Sequence, residues 1–493
     1  MAKKRKIKLL DETLRNAQQS LWATRMRTES MLPIAGVIGE AGFDTVCVGA
    51  GVSFESAAMY LQEDQWERMR LLKTKMPKMP FDVLVRARNL WGWTAQPYDV
   101  QTLFLEVLQR NGVEGFKLFD GLNDPRNMQH FLDEGNRLGF AVKVLLGYNE
   151  SPAHTDAYLA EKAKQFVDAG AKAIILSDSP GVMLPDRAFS SLSALRKAIG
   201  DTELHFHCHT SSGQGREACA AAIRAGTDVF WTASRPLAWG SALPDAMAIV
   251  DMAEDAGCET DMDRAALAEI ADWFYWVAHK EGRKVPEDKP FDAEYHRRYS
   301  GHQIPGGMIS NLIQQLADRG MSNRLDEVLE EAGRVRRELG FPHMSTPFSQ
   351  FVGVQSLMNV VQGERYASPP EALQLYARGG FGETIAPMDP DVKDKLSGGL
   401  PDLDMMEGLD EPLLPKIRAE FGPFDSEEDL LTFLFLHPAA YQEFRANRKP
   451  IVDRPRPHPV ACLIDEVASK HKTLNEVKVR QNDAITVDFQ RTQ

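Results

Sequence analysis

The sequence predicts an α/β protein, a TIM-type (β/α)8 barrel followed by an α-rich domain. Three observations predict it. Eight short apolar runs are spaced through the first 260 residues, a segment of helical period follows each run, and from Asp263 onward the pattern is almost wholly helical.

The runs are, in order, IKLLDETL from Ile7, FDTVCVG from Phe43, FDVLVR from Phe81 and GFKLFD from Gly115, then AVKVLLGY from Ala141, AIILSDS from Ala173, ELHFHCH from Glu203 and DVFWTAS from Asp228. Each has the length and composition of a strand. Helical patterns follow them, such as Asp99 to Gly112, Arg216 to Gly226 and, after the last run, Leu243 to Ala256. Strict alternation of strand and helix implies a parallel sheet, and eight units close naturally into a barrel. A doubly wound open sheet is the rival, but the glycine-rich dinucleotide loop expected after its first strand is absent. Strand one runs instead into Asp-Glu-Thr-Leu-Arg.

The barrel is placed at 1–260, the helical domain at 261–448 and a linker with a tail at 449–493. Pro305-Gly306-Gly307 and Gly379-Gly380 interrupt the helical pattern, and Lys449 to Pro459 is too rich in proline to continue a helix. Strand-like pieces follow in the tail. No internal repeat appears beyond the barrel units.

Hydrophobic residues make up 43% and charged residues 26%, the balance of a chain with a packed core. A net charge of -13, with one short basic cluster from Lys3 to Lys8, argues against nucleic acid as a partner. No run of apolar residues is long enough for a membrane span and the start is not a signal peptide, so a cytoplasmic location is expected. Cys47, Cys208, Cys219, Cys258 and Cys462 show no paired spacing and are expected as reduced thiols.

Side chains two apart on a strand share a face, so His207 and His209 point together at the carboxyl end of strand seven. Asp11 stands near the same end of strand one, where active sites of such barrels are built. In an isolated strand, His205, His207 and His209 would read as core or surface histidines. With a strand-one carboxylate, Asp11, His207 and His209 are expected to hold a divalent metal with an open position. Arg15 and Gln19 follow strand one, Arg86 strand three, and Asp120 and Asn123 strand four. Arginines beside a Lewis-acid metal suit an anionic substrate that passes through an enolate. Arg86 and Asp120 taken singly read equally as an ion pair across the barrel top or as substrate contacts. Ser177 and Asp178 read as hydrogen-bonding partners of neighbouring loops.

Longer stretches, namely DETLRNAQQSLWATRMRTESMLPIA, YLQEDQWERMRLLK, LFDGLNDPRNM, HFHCHTSSG and IPGGMISNL, closely resemble the carboxyltransferase component of biotin-dependent pyruvate carboxylases, oxaloacetate decarboxylases and transcarboxylases. The resemblance runs from Lys6 to Arg448. It implies a barrel with a helical funnel domain, a homodimer, a divalent metal (Zn, Mn or Co), and carboxyl transfer between biotin and the enolate of a 2-oxo acid. By position it implies metal ligands at Asp11, His207 and His209, substrate contacts at Gln19 and Arg86, an arginine beside the reacting carbonyl at Arg15, and a proton relay at Ser310. Asp120 is added as a substrate-binding candidate from its strand-end position.

Departures accompany the match. The family's metal-bound carbamylated lysine falls at Ser177, and its DAHQS has aspartate and histidine where this chain has Asn16 and Gln18. A serine at that strand-six place resembles the barrel lyases and synthases, hydroxymethylglutaryl-CoA lyase among them, but SRPLAWGSALPD lacks their asparagine. No methionine follows Met406, hence no Met-Lys-Met biotin-accepting turn, so biotin carboxyl carrier and biotin carboxylase subunits are expected as partners. Three readings result: a metal-dependent carboxyltransferase or decarboxylase of a 2-oxo acid, a biotin-free lyase or aldol-type enzyme, and a non-catalytic subunit of a carboxylase complex.

Overall fold

The structure, a computed structural model, describes residues 4–91, 95–456, 466–467, 470, 476–481 and 485–490, with backbone alone at 306–307, 310–311 and in the last two segments. All eight expected strands are present: β1 (Lys8–Asp11), β2 (Thr45–Ala50), β3 (Phe81–Val85), β4 (Gly115–Phe119), β5 (Ala141–Gly147), β6 (Ala173–Asp178), β7 (Glu203–Cys208) and β8 (Val229–Thr232). Each pairs in parallel with the next. The ring closes where Lys8, Leu9, Leu10 and Asp11 pair with Val229, Phe230, Trp231 and Thr232. This is the (β/α)8 barrel, with its helices on the outside.

Several helices begin where a side chain takes up free N–H groups, among them those starting at Gln65, Pro125, Asp156 and Arg264. The helix Pro125–Leu138 illustrates the rule: Asp124 accepts from the N–H of Arg126, proline occupies the first turn, and Gly139 ends it at a φ of 82°. Met128, Phe131 and Leu132 form its buried side.

Inside the barrel the layers are not wholly aliphatic. Lys117 on β4 reaches Asp82 on β3 at 2.8 Å and Glu12 beyond β1 at 2.5 Å, and Lys143 on β5 reaches the other oxygen of Asp82 at 3.1 Å. Glu12 also pairs with Arg15 at 2.9 Å. The Lys117 ammonium lies 4.3 Å from the centre of the Trp231 ring, a cation–π contact. Buried charges persist only when paired in this manner. The row climbs from the barrel's middle to its carboxyl-end mouth.

The apolar cores divide differently from the expected boundary at 260. A second core runs from Ile304 to Leu396 and includes Leu122 of the barrel. The helix Arg264–Glu281 belongs to the barrel's own core, with Trp273 donating to the Ser30 carbonyl at 2.8 Å. So does the helix Glu427–Phe435, whose Phe435 stacks on Phe54 at 4.5 Å. The barrel therefore recruits both ends of the helical segment, and the middle forms the separate unit.

The proline-rich segment is anchored at its start, where the Lys449 N–H meets the Gln62 carbonyl at 2.8 Å. Positions 457–459 of it lie outside the described residues, as does Cys462. In the tail, β9 (Glu476–Gln481) and β10 (Ile485–Gln490) pair antiparallel. Cys47, Cys208, Cys219 and Cys258 are buried free thiols. Among the described residues no helix is long and apolar enough to cross a membrane.

Candidate active site

The chain leaves β1 not as an α-helix but as a wide π-type turn, Thr13–Ala17, fully buried. Such turns gather at functional sites because they re-aim side chains. Here the turn is fixed by Glu12, whose carboxylate accepts from the Asn16 N–H at 3.3 Å and pairs with Arg15. Arg15 and Asn16 are thereby brought to the mouth beside β7.

His207 is the centre of the site. Its Nε2 lies 3.1 Å from the Asn16 amide Nδ2, and its Nδ1 lies 2.7 Å from the Ser177 hydroxyl. Ser177, near the end of β6, stands level with His207 in the β6–β7 register. Burial, with further push from His209, Arg15 and Lys117, drives the His207 pKa well below its ordinary value, so the ring is neutral. His209 lies beside it, ring centres 5.2 Å apart. Its Nδ1 donates to the Ser241 carbonyl at 2.7 Å, which leaves the lone pair on Nε2, and burial lowers its pKa to about 4.

Asp11 is elsewhere engaged. Its two oxygens accept from the Thr13 hydroxyl at 2.5 Å and the Thr13 N–H at 3.2 Å, and the Thr13 hydroxyl in turn accepts from the Ser234 N–H. Burial pushes its pKa up to about 7. Among the described residues, no three histidine, cysteine, aspartate or glutamate side chains stand where they could hold a metal ion. The expected set of Asp11, His207 and His209 is thus not gathered: Thr13 holds the carboxylate, and Asn16 and Ser177 occupy both nitrogens of His207. These residues, as arranged, do not fit a divalent metal.

The expected substrate residues stand in two groups past the carboxyl ends of their strands, Arg15 and Gln19 after β1, and Arg86 and Asp120 after β3 and β4. Arg15 Nε and Gln19 Oε1 are buried without a hydrogen-bond partner, which at a barrel mouth marks atoms that a ligand would satisfy. Arg86 donates through Nε to the Asn89 carbonyl at 2.8 Å and shares a narrow cleft with Asp120, Phe119, Phe348 and Phe381. Asp120 accepts from the N–H groups of Leu122 and Asp124 at 3.0 Å and from Asn127 at 2.9 Å, and burial raises its pKa to about 6. Asn123 is structural, clasping both backbone groups of Gly147. Asp178 caps the N–H groups of Gly181, Val182 and Met183, as expected of a loop-binding residue. Ser177 meets the following loop through the Ser179 hydroxyl at 3.1 Å, as expected, and binds His207 as well. Ser310 lies in the helix Gly306–Ala317, and its side chain is outside the described residues.

Sequence reasoning missed His343. The second unit sends this buried ring down to the end of β5, where a Cβ on Gly147 would lie 2.7 Å from it. Its Nδ1 is 2.9 Å from the Ser345 hydroxyl, its Nε2 has no partner, and it acts electrostatically on His207. Nothing local marks it, because its role depends on two distant segments meeting. Lys117 and Glu12 were legible only as an inward lysine in an apolar strand and an acid in DETLR.

A (β/α)8 barrel with arginine, glutamine and histidine at its carboxyl end is the scaffold on which barrel enzymes build their sites. A model described as conserved carboxylase domain matches residues 300–492, and one described as HMGL-like matches 138–234. The chain is 35% identical to a pyruvate carboxylase subunit of Methanothermobacter thermautotrophicus, over 89% of this chain and 77% of that one. It is 32% identical to the methylmalonyl-CoA carboxyltransferase 5S subunit of Propionibacterium freudenreichii, over 90% and 88%. The carboxyl transferase domain of Rhizobium etli pyruvate carboxylase, solved with oxamate and biotin, superposes with a TM-score of 0.82 at 26% identity, over 90% of this chain and 78% of that one. The chain belongs to the family of these pyruvate carboxylase and carboxyltransferase subunits.

Proposed function

We propose that this chain transfers a carboxyl group between a 2-oxo acid and biotin carried on a partner subunit. The observation that carries the reading is the pair of unsatisfied buried atoms, Arg15 Nε and Gln19 Oε1, at the mouth of a barrel of this family. Arg15 is held by Glu12 at 2.9 Å, so its remaining N–H is aimed without loss of freedom when substrate arrives. Arg86 is half-buried, and its desolvation pulls its pKa below the usual arginine value, a cost that an anionic substrate relieves. A carboxylate on Arg86 and a carbonyl oxygen beside Arg15 place the 2-oxo acid across the mouth.

Biotin, when presented by its carrier, supplies the carboxyl group in activated form. In this reading the biotin ring comes in over the narrow cleft between barrel and second unit, which Phe119, Phe348 and Phe381 wall and Asn89 and Asp120 line. Ser310 is the proton relay in this reading, by resemblance. The reading assigns no step to zinc, manganese or cobalt, because the expected ligands do not meet. A biotin carboxylase and a biotin carboxyl carrier are the partners, the chain pairs as a homodimer through its barrel, and the assembly is cytoplasmic.

The test is turnover of a panel of 2-oxo acids with and without a biotinylated carrier protein. Carrier-dependent turnover, abolished by Ser310→Ala, is expected. Full activity without carrier would overturn the reading in favour of a biotin-free lyase.

A further inference from the structure

We infer that a hydrogen-bonded cluster of Asn16, His207 and Ser177 stands in the place that a divalent metal takes in the relatives this chain resembles. Two of the departures from the family motifs are Asn16 in place of an aspartate and Ser177 in place of the metal-bound lysine. They lie far apart in sequence, on the turn after β1 and at the end of β6, yet they meet on one imidazole.

The orientation of Asn16 follows from its neighbours. Ser20 donates to its Oδ1 at 3.4 Å, so the amide nitrogen is the atom facing His207 Nε2. An amide nitrogen only donates, hence Nε2 accepts and carries the ring's single lone pair. The ring hydrogen is then on Nδ1 and is donated to Ser177 at 2.7 Å. Both positions of the ring are used by the protein itself. For His207 to bind a cation, Asn16 must withdraw its N–H and turn its oxygen inward.

Charge argues the same way. After such a turn the donors would be two neutral imidazoles, an amide oxygen and a hydroxyl, with no anion to balance a dication. Asp11 already takes a hydrogen bond from Thr13 on each oxygen, and among the described residues no three such side chains stand where they could hold a metal ion. Two permanent cations, Arg15 and Lys117, already act on His207. The cluster thus keeps the mouth neutral at His207 and leaves Arg15 as the group that meets negative charge on a substrate oxygen.

This inference concerns metal content and ring chemistry, so it stands or falls apart from the choice of substrate or the use of biotin. Purified full-length protein is incubated separately with Zn²⁺, Mn²⁺ and Co²⁺, desalted and analysed for metal, with the His207 tautomer followed by nitrogen-15 NMR. Well under one equivalent of each metal is expected, with His207 as the Nδ1–H tautomer and its resonances unmoved by added metal. Asn16→Asp, confirmed folded by circular dichroism, should gain about one equivalent that is lost again when His209→Ala is added. One equivalent in the unaltered protein that His207→Ala removes would overturn the inference. So would an Asn16→Asp protein that stays metal-free, because the amide would then not be what holds the metal's place. Should that variant fail to fold, the tautomer and metal titration of the unaltered protein decide alone: an Nε2–H ring, or resonances that shift with stoichiometric metal, refutes the cluster.

Discussion

Replacing Lys117 by methionine removes the middle charge of the row inside the barrel. Lys117, Glu12 and Asp82 are all fully buried, and the ammonium spans the two carboxylates at 2.5 and 2.8 Å. Burial alone pushes the Asp82 carboxyl up, but Lys117 and Lys143 together outweigh it and hold the group below the usual carboxylate range. Without Lys117, Asp82 keeps only Lys143 and Glu12 keeps only Arg15. Breaking a buried pair by removing one partner costs about 3–5 kcal/mol. Unfolding entropy near the midpoint is about 2.1 cal/mol/K per residue, so for a barrel of about 260 residues the melting temperature should fall by roughly 5–9 °C. Thermal circular dichroism at neutral pH measures it. A fall under about 1 °C would refute the argument, because it would mean that the two carboxylates are solvated or neutral without the lysine.

Further outcomes are expected at other sites. Arg86→Lys should raise KM for a 2-oxo acid roughly tenfold or more while leaving the melting temperature nearly unchanged, since one ammonium cannot reproduce a two-point carboxylate contact; unchanged steady-state kinetics would make Arg86 structural only. Gly147→Ala sets a Cβ 2.7 Å from the His343 ring and should loosen the second unit by about 1–3 kcal/mol; equal protection of residues 304–396 from limited proteolysis would contradict this. Burial opposes the charge on Glu203, but His205 and Lys8, at 2.7 Å each, outweigh it and draw the pKa down to about 2. A depressed carboxyl stabilises above the unfolded value of about 4.3 and loses that contribution as pH falls toward about 2. The stability gap between the unaltered protein and Glu203→Gln should therefore be constant from about pH 7 to 5 and narrow by about pH 3, as read by urea titration; a gap that persists there would show that the carboxylate is not held low.

The barrel was legible because short apolar runs alternate with helical patterns eight times over, and β1 to β8 fall within those runs, save that β2 extends one residue further, to Ala50. The division of the helical half was not. Leu267, Ile270, Trp273 and Phe274 announce a buried helix face, but a face reads the same whichever core it joins. At the site, period two correctly aimed His207 and His209 to one side. It failed at Asp11, because a strand pattern says nothing of Thr13 two residues on, or of a wide turn that carries Asn16 round to the imidazole. An amide has no charge to draw attention, so Asn16 passed as a departure from a motif when it is a partner of the central ring.

His343 comes from one folding unit and the pocket it enters from the other. The mouth is thus joint property, and chimeras of this chain should be cut so that the Gly147 end of β5 and the His343 loop travel together. An exchange that swaps the helical unit alone would bring a foreign side chain into a socket shaped, by the lack of a methyl at Gly147, for one imidazole.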